Sequence, residues 1–253
     1  MFKYYSTQMN TQHSNQQTRY KKLYPTHVPT SVLKKVAIAA GSSVISLVDP
    51  ERGDMVAALG ETTGKAALVK MLKQMKCSEE GRFILKERPI IDETIEGSKF
   101  SYDYLQRLPA DTLGGAYYKF MSSHGFLASG RTPVKFVDDE ELAYVMTRYR
   151  QVHDFFHVLS DLPTSVAGEL GVKWLELTQT GLPMTALSGT FGMLNNRLTN
   201  KQRIEIITKL IPWALRCGKT CRPLMTVYFE KYMHEPIDEV RNKLLFEKAP
   251  VIN

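Results

Sequence analysis

Between Asp138 and Ser160 the chain carries an apolar stripe at helical spacing, and two histidines lie on that stripe. With Leu142 set at zero on a helical projection, Met146 falls at about 40°, Tyr149 at about 340°, His153 at about 20° and His157 at about 60°. Asp154 falls at about 120°, on the flank beside His157. One helix face therefore presents two imidazoles at i, i+4 with a carboxylate next to them. That spacing lets two ring nitrogens reach one divalent ion. Beyond Leu162-Pro163 the chain must turn, and Glu169 sits early in the next helix. A tight helix–turn–helix brings its carboxylate back over the histidines. The pattern H-D-x-x-H-(x11)-E offers two imidazoles and two carboxylates, a set suited to Zn, Fe, Mn or Co. Mg prefers all-oxygen sites and suits it less. Two buried carboxylates also call for a counter-charge, which a divalent cation supplies.

The rest of the chain is punctuated like a helical domain. Asp138 and Glu141 form a D-x-x-E start for the long helix. Thr30 can cap a helix that runs to about Val48 and stops at Asp49-Pro50. Asp54–Leu59 reads as a short turn before Gly60, and Thr63 as the cap of a helix over Gly64–Lys76. Ser78 can cap a further helix ending before Pro89, with Ile90–Ser101 irregular. Asp111 or Thr112 opens Leu113–Ser123. Pro163-Thr164 starts a helix to about Thr180, closed by Gly181 and Pro183. Thr199 with Gln202 is a T-x-x-Q capping box, and Pro212 predicts a kink in the helix that follows. Pro223 suits a first helical turn, and Pro236 separates the last two helices. Val134–Val137 is the one strand candidate. The expectation is all-α: a single multi-helix domain over 23–253 after a disordered leader over 1–22.

Composition supports a soluble globular chain. It has 253 residues, 43% apolar and 23% charged, which excludes a disordered protein, a collagen and a polytopic membrane protein. The net charge of +7 invites a nucleic-acid reading, but its placement argues against one. The first acidic residue is Asp49, and Lys3, Arg19, Lys21, Lys22, Lys34 and Lys35 precede it; the remainder has 27 basic residues against 26 acidic. The acid-free, hydroxyl-rich start lacks the apolar core of a secretory signal and fits a mitochondrial transit peptide. Lys34 and Lys35 beside the apolar run Val36–Val48 suit a membrane-surface contact. No apolar run is long enough to span a bilayer. Three cysteines make no disulfide framework and point to a reducing compartment.

Other chemistries compete for the same residues. H-E-x-x-H metalloproteases place Glu as general base where this chain has the shorter Asp154. Histidine–aspartate phosphohydrolases also use an adjacent His-Asp pair but need further ligands, for which His124 and His234 are the candidates. Cys217 and Cys221 read as reduced thiols near a helix end, since a zinc site would need two more ligands. Gly60 to Lys65 lacks the phosphate-loop arrangement. Gly168, Gly171, Gly181, Gly189 and Gly192 serve either close helix packing or a slot for a long apolar ligand lined by Met184, Leu187, Phe191 and Met193.

HDFFHVLSDLPTSVAGE, from His153 to Glu169, resembles the signature of the coenzyme Q (ubiquinone) biosynthesis protein 4 family. LYPTHVPTSVLKK, DPERGDMVAALGETTG, KFVDDEELAYVMTRYRQVHD, KWLELTQTGLPM and LIPWA are similar to that family's other blocks, in its order. The resemblance implies an all-helical fold and a divalent metal, zinc first and Fe, Mn or Co next, at His153, Asp154, His157 and Glu169. The same four are the expected catalytic residues. It implies a lyase that removes the C1 carboxyl of 4-hydroxy-3-methoxy-5-polyprenylbenzoate, with C1 hydroxylation as an oxidative variant. It implies a peripheral protein on the matrix face of the mitochondrial inner membrane, organised with other coenzyme Q biosynthesis proteins, with no nucleic-acid partner and with homo-oligomers allowed. A non-catalytic scaffold that holds polyprenyl intermediates is the alternative, and a metal phosphohydrolase the third reading.

Overall fold

The structure is a computed structural model that describes residues 22–48 and 52–252. The leader, apart from Lys22, and the helix stop at Asp49-Pro50 lie outside the described residues. Twelve α-helices run through the described residues, with no strand among them. They are α1 (Val32–Val48), α2 (Gly53–Thr63), α3 (Lys65–Cys77), α4 (Glu79–Glu87), α5 (Tyr102–Leu105), α6 (Leu113–His124), α7 (Glu140–Ser160), α8 (Val166–Thr180), α9 (Pro183–Phe191), α10 (Asn200–Glu205), α11 (Ile211–Thr220) and α12 (Ile237–Leu244). The all-α expectation holds. No helix among the described residues is long and apolar enough to cross a membrane.

α7 is the central element. Val145, Met146, Val152, Phe155, Phe156 and Leu159 are fully buried on it, packed by α3, α6 and α8. Its wide apolar surface makes burial of a helix this long favourable at about 25 cal/mol per Å² of apolar area. Phe155 stacks on Phe229 with centroids 4.2 Å apart and on Tyr117 at 4.7 Å, which fixes α6 and the C-terminal segment against it. Arg148, also fully buried, is tolerable there because its two terminal nitrogens reach the Glu230 carboxylate at 2.6 and 2.8 Å.

Several helix ends differ from the sequence expectation for local reasons. The α7 cap is Asp139, whose Oδ1 accepts from the Leu142 amide at 2.8 Å; Asp138 is instead held by His27 and Lys35. The short turn expected over Asp54–Leu59 runs on through Gly60 to Thr63, and at Gly60 the Met184 thioether packs where a side chain would stand. Thr63 ends α2 and donates back to the Leu59 carbonyl, so it does not cap α3. Val134–Val137 forms no strand: Thr26 and Tyr24 donate to the carbonyls of Val134 and Val137, which ties the N-terminal segment to the loop. The Thr199–Gln202 capping box and the Ser78 cap are present as read. The Pro212 kink takes the form of a π-helical turn, Ile206–Leu210, just before the proline that cannot donate to the ladder.

Candidate metal centre

α7 and α8 meet at a short turn, and the site lies at their junction. α7 ends at Asp161 in the left-handed conformation, its amide bonding the His157 carbonyl. α8 is capped by Ser165, which accepts from the Gly168 amide at 3.3 Å. A side chain at Gly168 would collide with the Pro163 carbonyl oxygen, so only glycine lets α8 begin this close to the turn. The next residue is Glu169, and its carboxylate swings back over α7 as the spacing predicts.

His153, His157 and Glu169 are brought together: one ligand atom from each lies within 4.8 Å of the others. The two imidazole centroids are 5.0 Å apart with rings nearly perpendicular. His157 is buried, and its Nδ1 donates to the Leu162 carbonyl at 3.0 Å. That bond fixes the tautomer and leaves Nε2 as an acceptor. Nε2 then faces Glu169 Oε1 at 3.1 Å but has no hydrogen bond, although it is buried. Two acceptors face to face repel unless a cation or a proton stands between them. This orphaned nitrogen is the feature of the site that asks most directly for a metal.

His153 is held in the way metal-bound histidines usually are. Its Nδ1 donates to Glu176 Oε1 at 2.8 Å, and Glu176 Oε2 accepts from Lys173 Nζ at 2.9 Å. A carboxylate behind an imidazole fixes its orientation and raises its basicity. Burial pushes the Glu176 carboxyl up, but Lys173 and His153 outweigh it and hold its pKa at about 2. Glu169 behaves alike when a proton stands on His157: burial opposes ionisation, while His157, His153 and Lys173 bring it to about 2. For His153, burial and the Lys173 charge act against protonation, and Glu176 and Glu169 prevail, raising its pKa above the ordinary value.

Asp154, the fourth residue expected here, stands apart from the cluster. Its Oδ2 accepts from Arg131 Nη2, and Arg131 also donates to the Ala128 carbonyl at 2.7 Å. Phe120 on α6 stacks on His157 at 5.3 Å and walls the other side. Counted over the site, Glu169, Glu176 and Asp154 stand against Lys173 and Arg131, an excess of negative charge that suits a cation. His124 and His234 do not join: His124 bonds the Phe120 carbonyl and His234 pairs with Tyr104.

Sequence reasoning missed Glu176, Lys173 and Arg131. For the first two a signal existed, since Glu169, Lys173 and Glu176 fall at i, i+4, i+7 on a mostly apolar helix. Arg131 lies in a loop, where no period announces it. The glycines resolve towards packing: Gly171 against Leu162 and Leu210, Gly189 against Trp174, Gly192 against Leu170.

Fold and site together define an all-helical protein with a two-histidine, one-carboxylate, metal-competent centre. The family profile described as coenzyme Q (ubiquinone) biosynthesis protein Coq4 matches residues 24–250, and the chain belongs to that family. Among its relatives, the ubiquinone biosynthesis protein COQ4 homolog, mitochondrial, of Bos taurus is 45% identical over 230 residues, covering 90% of this chain and 84% of that one. The protein of the same name from Aedes aegypti is 43% identical over 231 residues, covering 91% and 82%. A crystal structure from Nostoc punctiforme, named provisionally as a ubiquinone biosynthesis protein, superposes with a TM-score of 0.64 over 83% of this chain and 97% of that one. At 21% identity it supports the fold alone.

Proposed function

We propose that this chain is a metal-dependent lyase of ubiquinone biosynthesis, removing the C1 carboxyl of 4-hydroxy-3-methoxy-5-polyprenylbenzoate as carbon dioxide. The observation that carries the reading is the buried, unpartnered His157 Nε2 facing Glu169. His153, His157 and Glu169 would hold the ion, zinc first, with Asp154 next to them in the chain as a further donor. A bound divalent ion would supply Lewis-acid stabilisation to a substrate oxygen as the C1–carboxyl bond breaks. The chain's own residues set the stage for that step. Leu162 and Glu176 lock both imidazoles in the tautomers that leave Nε2 free. Phe120 covers His157 and keeps water from that face. Glu169, about one-third exposed, marks the open side through which substrate would enter and a proton would reach C1.

The test is turnover of a polyprenyl hydroxybenzoate by metal-loaded protein. A product with hydrogen at C1 marks simple decarboxylation; a hydroxyl at C1, its oxygen taken from water while dioxygen accepts two electrons and leaves as hydrogen peroxide, marks the oxidative form. Equal product from wild type and His157→Ala would sink the metal mechanism.

A second reading, a scaffold that holds polyprenyl intermediates for partner proteins, has its own observation. α1 exposes Val32, Leu33, Val36 and Val44, all more than 60% accessible, next to the exposed Lys34, while Lys35 is paired with Asp138. Such a helix suits the inner-membrane surface, with the chain peripheral on the matrix side among the other coenzyme Q proteins. The named relatives are mitochondrial proteins, which supports that location. Vesicle binding that persists in His157→Ala would favour the scaffold role alongside the lyase.

A further inference from the structure

The Arg131–Asp154 pair sits beside the metal cluster without belonging to it. Both side chains are mostly buried, at 18% and 14% exposure. The buried Tyr117 hydroxyl lies beside the Arg131 guanidinium, close enough to feel both charges but without a hydrogen bond of good geometry. A guanidinium and a carboxylate, both mostly buried, with a hydroxyl beside them make a polar cluster with donor capacity to spare. The surroundings are aromatic. α6 ends at Gly125, whose φ of 64° turns the chain so that Phe126 folds back onto Phe120 at 6.2 Å. Tyr102 donates to the Phe126 carbonyl and packs edge-on against Tyr118. Phe126 and Leu127 are exposed, five and four residues before Arg131.

We propose that Arg131 receives the carboxylate of an aromatic acid, and that Asp154 fills that place when the acid is absent. This deepens the lyase reading and rests on it. Arg131 Nη2 holds an Asp154 oxygen while Nη1 donates to the Ala128 carbonyl, and a benzoate oxygen can take the same charge-assisted bond from that fixed fork. The ring then lies among Phe120 and Phe126. Once displaced, Asp154 is a free carboxylate adjoining His153 and one turn from His157, where a cation bound by the cluster attracts it. Acid and metal therefore strengthen each other's binding, by the same factor in each direction. Charge balance agrees: the five charged side chains carry one surplus negative charge, a divalent ion makes the sum positive, and one carboxylate restores neutrality.

The experiment is calorimetric and NMR titration of the full chain with 4-hydroxy-3-methoxybenzoate, its methyl ester and phenyl phosphate, with and without zinc. Wild type is expected to bind the acid about tenfold or more tightly than the ester, and Arg131→Gln to lose that preference. Arg131→Lys, which keeps the charge but not the fork, should fall between. In metal-free protein Asp154→Asn, by releasing Arg131, is expected to bind the acid several-fold more tightly than wild type. Zinc affinity should rise with saturating acid in wild type and not in Arg131→Gln. Melting curves establish that each variant is folded; should Arg131→Gln fail to fold, the Asp154→Asn and Arg131→Lys arms decide. An acid-over-ester preference that survives in Arg131→Gln, or no gain in Asp154→Asn, overturns the proposal. Tighter, Arg131-dependent binding of phenyl phosphate overturns the carboxylate assignment. Failure of zinc to bind wild type would count against the metal reading instead, and leaves the metal-free arms to judge Arg131.

Discussion

Glu176→Gln changes one atom in a fully buried side chain, and the structure sets how much that should cost. Glu176 accepts from His153 at 2.8 Å and from Lys173 at 2.9 Å, with no exposure to water. Its pKa of about 2, against an ordinary 4.5, means the folded state favours the charged form. At about 1.4 kcal/mol per unit, that is on the order of 3 kcal/mol of stability. The range expected for breaking a buried pair by removing one partner is about 3–5 kcal/mol. In a chain of this size about 3 kcal/mol corresponds to a fall in Tm of roughly 6–12 °C. The amide also cannot play the acceptor to both His153 and Lys173, so zinc affinity should drop about 10–100-fold, the usual cost of losing an outer-shell carboxylate. Calorimetry gives the first quantity and chelator competition the second. Lys173→Met combined with Glu176→Gln should recover part of the stability, because no charge is left unpaired, but none of the zinc affinity. A Glu176→Gln protein that melts with wild type and binds zinc equally would refute the role of this carboxylate. The sign of the pH dependence follows from the lowered pKa. The stabilisation is complete above about pH 4.5 and is lost as pH falls towards 2, so the metal-free wild type should lose stability over that window faster than the variant.

Other outcomes follow from the same geometry. His157→Ala should lower zinc affinity by more than about 100-fold, measured by chelator competition, since it removes a ligand and not a support. Gly168→Ala should cost about 1–3 kcal/mol and weaken zinc binding as well, because relieving the clash with Pro163 moves Glu169; thermal melts and metal titration check both. Arg148→Met should destabilise by about 3–5 kcal/mol with zinc affinity unchanged, as Arg148 bonds Glu230 and the Val227 carbonyl and none of the metal ligands; the pair of readouts separates fold from site.

Helix and site were legible to different depths. The stripe on α7 placed His153 and His157 on the buried face because helical period alone determines direction. Glu169 was legible because the turn after Leu162 is short. Asp154 was not, since its period angle puts it on a flank, and what a flank side chain touches depends on a loop; here the loop delivers Arg131. The same reason explains the misplaced cap at α7. Asp138 and Asp139 are equally good caps by residue type, and His27, more than a hundred residues earlier, decides between them by taking Asp138. Local signals are short-ranged, and the N-terminal segment competes for them through space.

The stretch from His157 to Glu169 acts as a ruler. Inserting or deleting one residue in it would rotate Glu169 by about 100° about α8 and carry its carboxylate off the cluster. Gly168 and the Pro163 carbonyl leave no slack with which the turn could absorb the change. Length variation in this segment should therefore be fatal to metal binding even where every ligand residue is kept. Tuning of the centre has to proceed by substitution around a fixed distance, at positions such as Lys173, Glu176 and Arg131.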